Sequence, residues 1–372
     1  MNQSLTLSLP SVGRAPVTPL SDESEAALRQ LTLQRLMGYS VEYGDAGELR
    51  KLVELGVPWK EAATAVADHH LARLDDPHQR LSAQSRRDLL IRVSALLRMS
   101  QMMMLSDSDG RRDIYRHSAR LFFEAFTADP HCERVSVDFG EKCMVGWFAG
   151  CGKAVAPSVL IIGGIEGWAM DLLSLGEALQ KRGIHTLLLD GPGQGETRFD
   201  HRHFLDENWC EAYSAAITFL TERSGGAPVG VLGNSVGGGL AMKLAAFDPR
   251  IAACCDNGGL RNPLVHRERK GFFPKVVAFC GDATADEAER IWRTVELTPE
   301  SLGMACPLLI VHGALDPMVS VEEVTDFLGW ATSPDKHLRI FADGDHCIYN
   351  HPADKHDLIG DWFLDRLTRH EA

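Results

Sequence analysis

The sequence lacks the long apolar run that a membrane span requires. Its longest such stretch near the middle, Val159 to Gly164, falls far short of about 20 residues. The opening MNQSLTLSLPSVGRAPVTPL has neither the basic start nor the compact apolar core of a signal peptide, so a cytoplasmic protein is expected. Positive charge is in deficit. Lys and Arg total 38 against 51 Asp and Glu, a net charge of −13 that repels polyanions and argues against a nucleic-acid partner. None of the nine cysteines forms a C-x-x-C pair, which leaves no cysteine zinc site. Cys254, Cys255 and Cys306 lie in strand-like apolar runs and read as reduced core residues. The stretch from Asp190 to Thr197, DGPGQGET, lacks both G-x-x-x-x-G-K-[ST] and G-x-G-x-x-G, so it reads as a turn at a strand end and not as a nucleotide loop. Neither metal nor cofactor is implied.

What is present divides in two. The 372 residues suffice for two domains, or for one large α/β domain with an extension. Residues 1–20 hold three prolines and no sustained periodicity, and read as a flexible arm. From 21 to 131 apolar residues recur at three- and four-residue steps, as in AALRQLTLQRLM and LSAQSRRDLLIRVSALLRMSQMMML, predicting a helical domain. Pro58 suits the first turn of the helix WKEAATAVADHHLARL. The residues Met99 and Met102 to Met104 form an apolar helix face, buried or lining a pocket.

The period changes in the region 132–372. ERVSVDFG and KCMVGWFAG predict an antiparallel hairpin. Apolar runs such as SVLIIGG, IHTLLLDG, APVGVLGN and CPLLIVHG, separated by helical segments, predict a mostly parallel sheet covered on both faces, an α/β class. Between 261 and 300 the alternation lapses, which predicts an excursion near the carboxyl ends of the strands, where binding loops sit.

One segment points to chemistry. In VGVLGNSVGGGLAMKL a strand ends at Gly233, Ser235 follows, and a helix begins, which is the G-x-S-x-G elbow in its strand-turn-helix setting. The turn exposes the hydroxyl at a helix N-terminus, where oriented amides favour developing negative charge. A serine hydroxyl needs a base and that base an orienting acid, on loops after later strands. His346 follows the strand LRIFADGDH and Asp316 follows CPLLIVHGALD, so both predict the same edge as the elbow. Asp343 and Asp345 rival Asp316, or shape the histidine's turn. The oxyanion donors are expected to be the amides of Val236 and Ile165, with Glu166 the neighbouring choice. The Glu166 carboxylate either meets substrate or supports its loop. Trp168 either stacks on a planar ligand or seals the helical region against the core.

These motifs resemble the α/β-hydrolase superfamily. More narrowly, GGIEG (163–167), DGPGQGE (190–196), GNSVGG (233–238), HGALD (312–316) and DGDHCIYN (343–350), behind a helical N-terminal region, are similar to the FrsA-like branch. That branch includes the 2,6-dihydroxypseudooxynicotine hydrolases and the fungal polyketide chain-shortening hydrolases. The resemblance implies Ser235, Asp316 and His346 as the triad and the helices of 21–131 as a cap. It implies hydrolysis of a carbon–carbon bond beside a ketone in an activated small molecule, an aryl ketone or β-diketone, through an acyl-serine. Dimers occur in the branch, so a homodimer is compatible. The branch's glutamate after the strand following the elbow has Glu268 as its nearest counterpart, although His266 or Arg269 falls close to the matching place. The alternative with the same triad is an ester, thioester or lactone hydrolase, or less directly an acyltransferase or cyclase.

Overall fold

The computed structural model describes residues 20–368, so the arm expected over 1–20 lies, Leu20 apart, outside the described residues. Six helices come first: α1 (Asp22–Gln30), α2 (Leu33–Gly38), α3 (Tyr43–Glu54), α4 (Trp59–Asp75), α5 (Ala83–Ser100) and α6 (Asp109–Phe126). Their starts are written locally. Ser21, Thr32, Ser82 and Ser108 stand at N-caps, and each side chain accepts a hydrogen bond from the amide three residues on. Pro58 stands just ahead of α4, where its missing N–H breaks no helical bond. The buried Trp59 indole donates to the Met99 carbonyl at 2.8 Å and ties α4 to α5.

Eight strands follow: β1 (Cys132–Phe139), β2 (Lys142–Ala149), β3 (Ser158–Ile162), β4 (His185–Asp190), β5 (Val229–Asn234), β6 (Ile251–Asn257), β7 (Leu308–Gly313) and β8 (Lys336–Phe341). They form one sheet in the order β1-β2-β4-β3-β5-β6-β7-β8. The hairpin closes where Phe139 pairs with Lys142, and β2 runs antiparallel to β4. Every pairing from β4 onward is parallel. The remaining helices are α7 (Leu173–Gln180), α8 (Gly195–Phe199), α9 (Trp209–Arg223), α10 (Val236–Phe247), α11 (Phe272–Phe279), α12 (Ala285–Val295), α13 (Val321–Trp330) and α14 (Pro352–Thr368). The irregular stretch of 261–300 holds α11 and α12, between β6 and β7. Among the described residues no helix is long and apolar enough to cross a membrane.

The two-residue period of the strands sorts the core into two faces. Val159, Ile161, Leu188, Leu232 and Val311 join one cluster with Trp59, Leu96 and Phe122 of the N-terminal helices. Leu160, Ile162, Leu187, Val231 and Ile310 join the other, with Trp209, Leu240, Trp292 and Phe327. The N-terminal helices therefore share their core with a sheet face. A buried ion pair locks the join: Arg98 Nε of α5 donates to Asp171 Oδ1 at 2.6 Å, and Asp171 Oδ2 accepts from the Trp168 amide at 3.0 Å. Removing one partner strands the other charge in the interior. Arg98→Met should cost about 3–5 kcal/mol, as for other broken buried pairs. Urea unfolding checks this, and a loss below about 1 kcal/mol would show that Asp171 finds compensation elsewhere.

Candidate active site

The elbow between β5 and α10 is built by steric need. Ser235 has φ 59° and ψ −129°, a conformation that costs an L-residue energy. A Cβ on Gly233 would stand 1.9 Å from the Gly237 carbonyl oxygen, and one on Gly237 would stand 2.3 Å from that of Ile162. Only glycine at both offsets lets strand and helix meet here. The strained residue is held by its own backbone: the Ser235 amide donates to the Asn257 carbonyl at 2.9 Å, and the Gly238 amide donates to the Ser235 carbonyl at 2.7 Å.

The structure brings the serine, histidine and one aspartate into a line. His346 Nε2 lies 2.9 Å from Ser235 Oγ, and His346 Nδ1 lies 2.7 Å from Asp316 Oδ2. Asp316 Oδ1 accepts from the Met318 amide at 2.7 Å. Burial would raise the Asp316 pKa, but the His346 ring and the Met318 amide outweigh it and hold the carboxylate ionised. Burial disfavours a charged His346 ring, yet the Cys347 sulfur and the Asp316 carboxylate together push its pKa above the ordinary imidazole range. The rival acids serve the turn instead. Asp345 Oδ1 accepts from the Tyr349 amide at 2.6 Å, and Asp343 meets the His351 ring at 2.9 Å. Behind His346, Cys347 and Ile348 adopt left-handed φ of 58° and 54°. The Cys347 carbonyl is secured by Lys355 Nζ at 2.8 Å and by the Asn257 amide side chain at 3.3 Å. Burial lowers the Lys355 pKa to about 8.

The loop after β3 lies against the hydroxyl. A Cβ on Gly164 would stand 3.3 Å from Ser235 Oγ. The Gly164 amide is spent on the Gly167 carbonyl at 3.1 Å, which leaves Ile165 as the next amide along the loop. Val236, the other expected donor, opens α10 directly after Ser235. Gln194 pins this loop: its side-chain amide donates to the Gly163 and Gly164 carbonyls at 2.8 and 3.0 Å. The DGPGQGE segment is a turn as expected, and it also braces the loop after β3. The Asp190 carboxylate accepts from the amides of Ala169 and Glu196 and from Tyr115.

Glu166 points into the molecule. Its side chain is 9% exposed, bonded to Gln30 of α1 and Lys275 of α11, and 3.4 Å from Arg35 of α2. Burial would raise its pKa, but Lys275 and Arg35 lower it further than burial lifts it. The Tyr39 hydroxyl donates to the Glu166 carbonyl at 3.2 Å, and Tyr349 donates to Tyr39 at 3.1 Å. The Asn234 side chain donates to Tyr349 at 3.2 Å, so a chain of bonds runs from α2 to the residue before Ser235. Trp168 is buried against Tyr115 and Phe199, in the sealing position. Glu268 does not reach the site: its side chain is 95% exposed on the turn before α11, beside Arg267. Solvation of a lone carboxylate outward is cheaper than its burial there. From the 261–300 excursion Lys275 reaches the loop after β3 instead, pairing with Glu166. No sequence signal marked it, being one lysine in the apolar helix FFPKVVAF.

The alpha/beta hydrolase family model matches residues 159–355, and the chain belongs to that family. It is 31% identical over 232 residues to the 2,6-dihydropseudooxynicotine hydrolase of Paenarthrobacter nicotinovorans, an alignment over 58% of this chain and 59% of that relative. The crystal structure of 2,6-dihydroxy-pseudo-oxynicotine hydrolase superposes with a TM-score of 0.78 at 26% identity, covering 91% of this chain and 97% of that one. AbyA5 shares the fold, with a TM-score of 0.63 at 19% identity over 86% of this chain and 99% of its own.

Beneath the elbow lies a further buried carboxylate. Asp256 Oδ1 accepts from the Gly259 amide at 2.7 Å, while Oδ2 has no partner. Burial raises its pKa to about 7. The folded state thus favours the neutral acid; that contribution is complete below the unfolded value of about 3.9 and is lost as pH rises through 7. Asp256→Asn should therefore gain stability relative to the parent progressively from pH 4 to above 7. Denaturant midpoints across that range test it, and a constant difference would refute it.

Proposed function

We propose that the chain is a serine hydrolase that cleaves a carbon–carbon bond beside a ketone through an acyl-serine intermediate. The observation that carries this reading is the Ser235–His346–Asp316 line, at 2.9 and 2.7 Å, on an elbow next to a glycine loop. The similarity to 2,6-dihydropseudooxynicotine hydrolase supports ketone cleavage over the ester alternative. In this reading His346 takes the Ser235 proton as Oγ attacks the carbonyl carbon. The amides of Val236 and Ile165 stabilise the oxyanion, and Asp316 fixes the ring's tautomer. Collapse expels carbon only where its electron pair is delocalised, so the substrate is an aryl ketone or β-diketone. Helices α1–α6 act as the cap that excludes bulk water, with Trp168 as seal.

Ser235→Ala should lower kcat by at least about 10³-fold, and adding His346→Ala should cost little more, because one proton-transfer unit is lost only once. Additive losses would separate the two residues. Hydrolysis in H₂¹⁸O should place label in the carboxylate, and in D₂O deuterium should appear on the released carbon. Ester turnover without either product from an activated-ketone panel would move the assignment to esterase chemistry. The base must be neutral to accept a proton, and its pKa is raised from 6.5, so kcat/KM should climb with pH through and beyond that value. An acid limb at or below pH 6 would contradict the raised imidazole.

A further inference from the structure

Two carboxylates, the buried Glu166 on the loop after β3 and the partly exposed Asp107, are each shared by two cations. Glu166 is paired with Lys275 of α11 and Arg35 of α2. Asp107, just before α6, accepts two bonds from Arg198 of α8, at 2.7 and 2.6 Å, and one from Arg111 at 3.3 Å. Arg198 and Arg111 side chains are only 2% and 7% exposed. The sets adjoin on the loop after β3: the Arg111 guanidinium lies 5.9 Å from the ring centroid of Trp168, two residues beyond Glu166. Four cations thus face two carboxylates. Nearby acids do not restore the balance: Asp171 belongs to Arg98 and Glu196 to Arg134, and burial lifts Asp190 to about 7. Burial and the Arg198 charge lower the Arg111 pKa to about 10, as happens when like charges are held together without enough counter-charge.

The cluster also stands in the right place. Glu166 is two residues beyond Gly164, so their Cα atoms are within about 7 Å, and Gly164 borders Ser235 Oγ. An ester needs nothing there, because its leaving oxygen is protonated directly by the histidine. A carbon leaving group does, since its charge must rest on a more distant oxygen.

We propose that the Lys275, Arg35 and Arg111 cations receive the delocalised oxyanion of the departing carbon fragment, an enolate when the substrate is a β-diketone. This rests on the ketone-hydrolase reading. Ser235 Oγ bonds to the ketone carbon as its proton passes to His346. The tetrahedral oxyanion re-forms its carbonyl, the carbon–carbon bond breaks, and that electron pair moves onto the oxygen of the second carbonyl, beside Lys275. His346 then returns its proton to the carbon, the enolate becomes a neutral ketone, and water hydrolyses the acyl-serine. Glu166 holds the cations in position while no substrate is bound.

The test uses benzoylacetone, whose enol and enolate differ in absorption, bound to the full-length Ser235→Ala protein. Its enol pKa should fall by at least about one unit on binding, a tenfold preference for the enolate. The shift should vanish with Lys275→Gln added and return with Lys275→Arg. Arg35→Gln, at the other side of Glu166, gives the same reading if Lys275→Gln fails to fold. With Ser235 present, Lys275→Gln should lower the ratio of diketone to matched-ester turnover at least about 30-fold, equivalent to about 2 kcal/mol in the transition state. Binding as the neutral enol, no saturable binding, or an unchanged ratio overturns the inference, and diketone cleavage by the parent enzyme then still upholds the function proposed above. Enolate binding by an enzyme that hydrolyses only esters does the reverse: it removes the ketone-hydrolase reading and keeps the oxyanion site.

Discussion

The close approach of β5, the elbow and α10 is the constraint on which the rest of the site depends. Ser235 sits in a backbone conformation that its own chemistry disfavours. What over-determines it is contact on every side: the β3 carbonyls against Gly237, the Asn257 carbonyl on its amide, and Gly164 against its side chain. Each of these neighbours comes from a strand beside β5 or from the loop that follows one. The sheet order, with β3 and β6 flanking β5, is therefore what fixes the hydroxyl in space.

Outward from that point the polar groups form layers with different duties. Asn234, Asn257, Tyr349 and Lys355 hold the histidine's left-handed turn and carry bonds toward Tyr39. Gln194 and Asp190 brace the loop after β3 from the neighbouring strand β4. Glu166 then joins that loop to α1 and α2 at the start of the described chain and to α11, more than 230 residues later. Because these bonds are buried, losing a partner costs more than the bond itself contributed. That asymmetry favours a single arrangement of the site over several loose ones.

How much of this was legible depended on whether the chemistry left a local mark. Gly233 and Gly237 announce the elbow because no other residue fits those offsets. Asp316 and His346 were readable because each follows an apolar strand by a short turn, and in the structure they meet end to end. The helical period of the N-terminal region was legible, but the break at Leu31–Thr32 that divides α1 from α2 was not. Gln194 was hidden: its turn is local, but its partners depend on β4 lying beside β3. Lys275 and Arg35 were hidden more deeply, since a single cation in a helix is paired by tertiary packing alone, here across 109 and 131 residues. Glu268 shows the converse, for nearness to a strand end does not decide which way a side chain faces.

The shared core of α1–α6 and the sheet also has a consequence for biosynthesis. Arg98 leaves the ribosome 73 residues before Asp171, and Tyr39 leaves it 310 residues before Tyr349. At about 5–20 residues per second the N-terminal helices wait roughly 15–60 s before the last of these partners exists. Until β2–β4 emerge, early in that interval, the nascent chain displays the apolar faces of α4, α5 and α6 without the strands that cover them. The bond network that holds the elbow's surroundings closes only once the final strand and turn emerge, so a translation product that stops before residue 346 carries Ser235 without the His346 ring bonded to it.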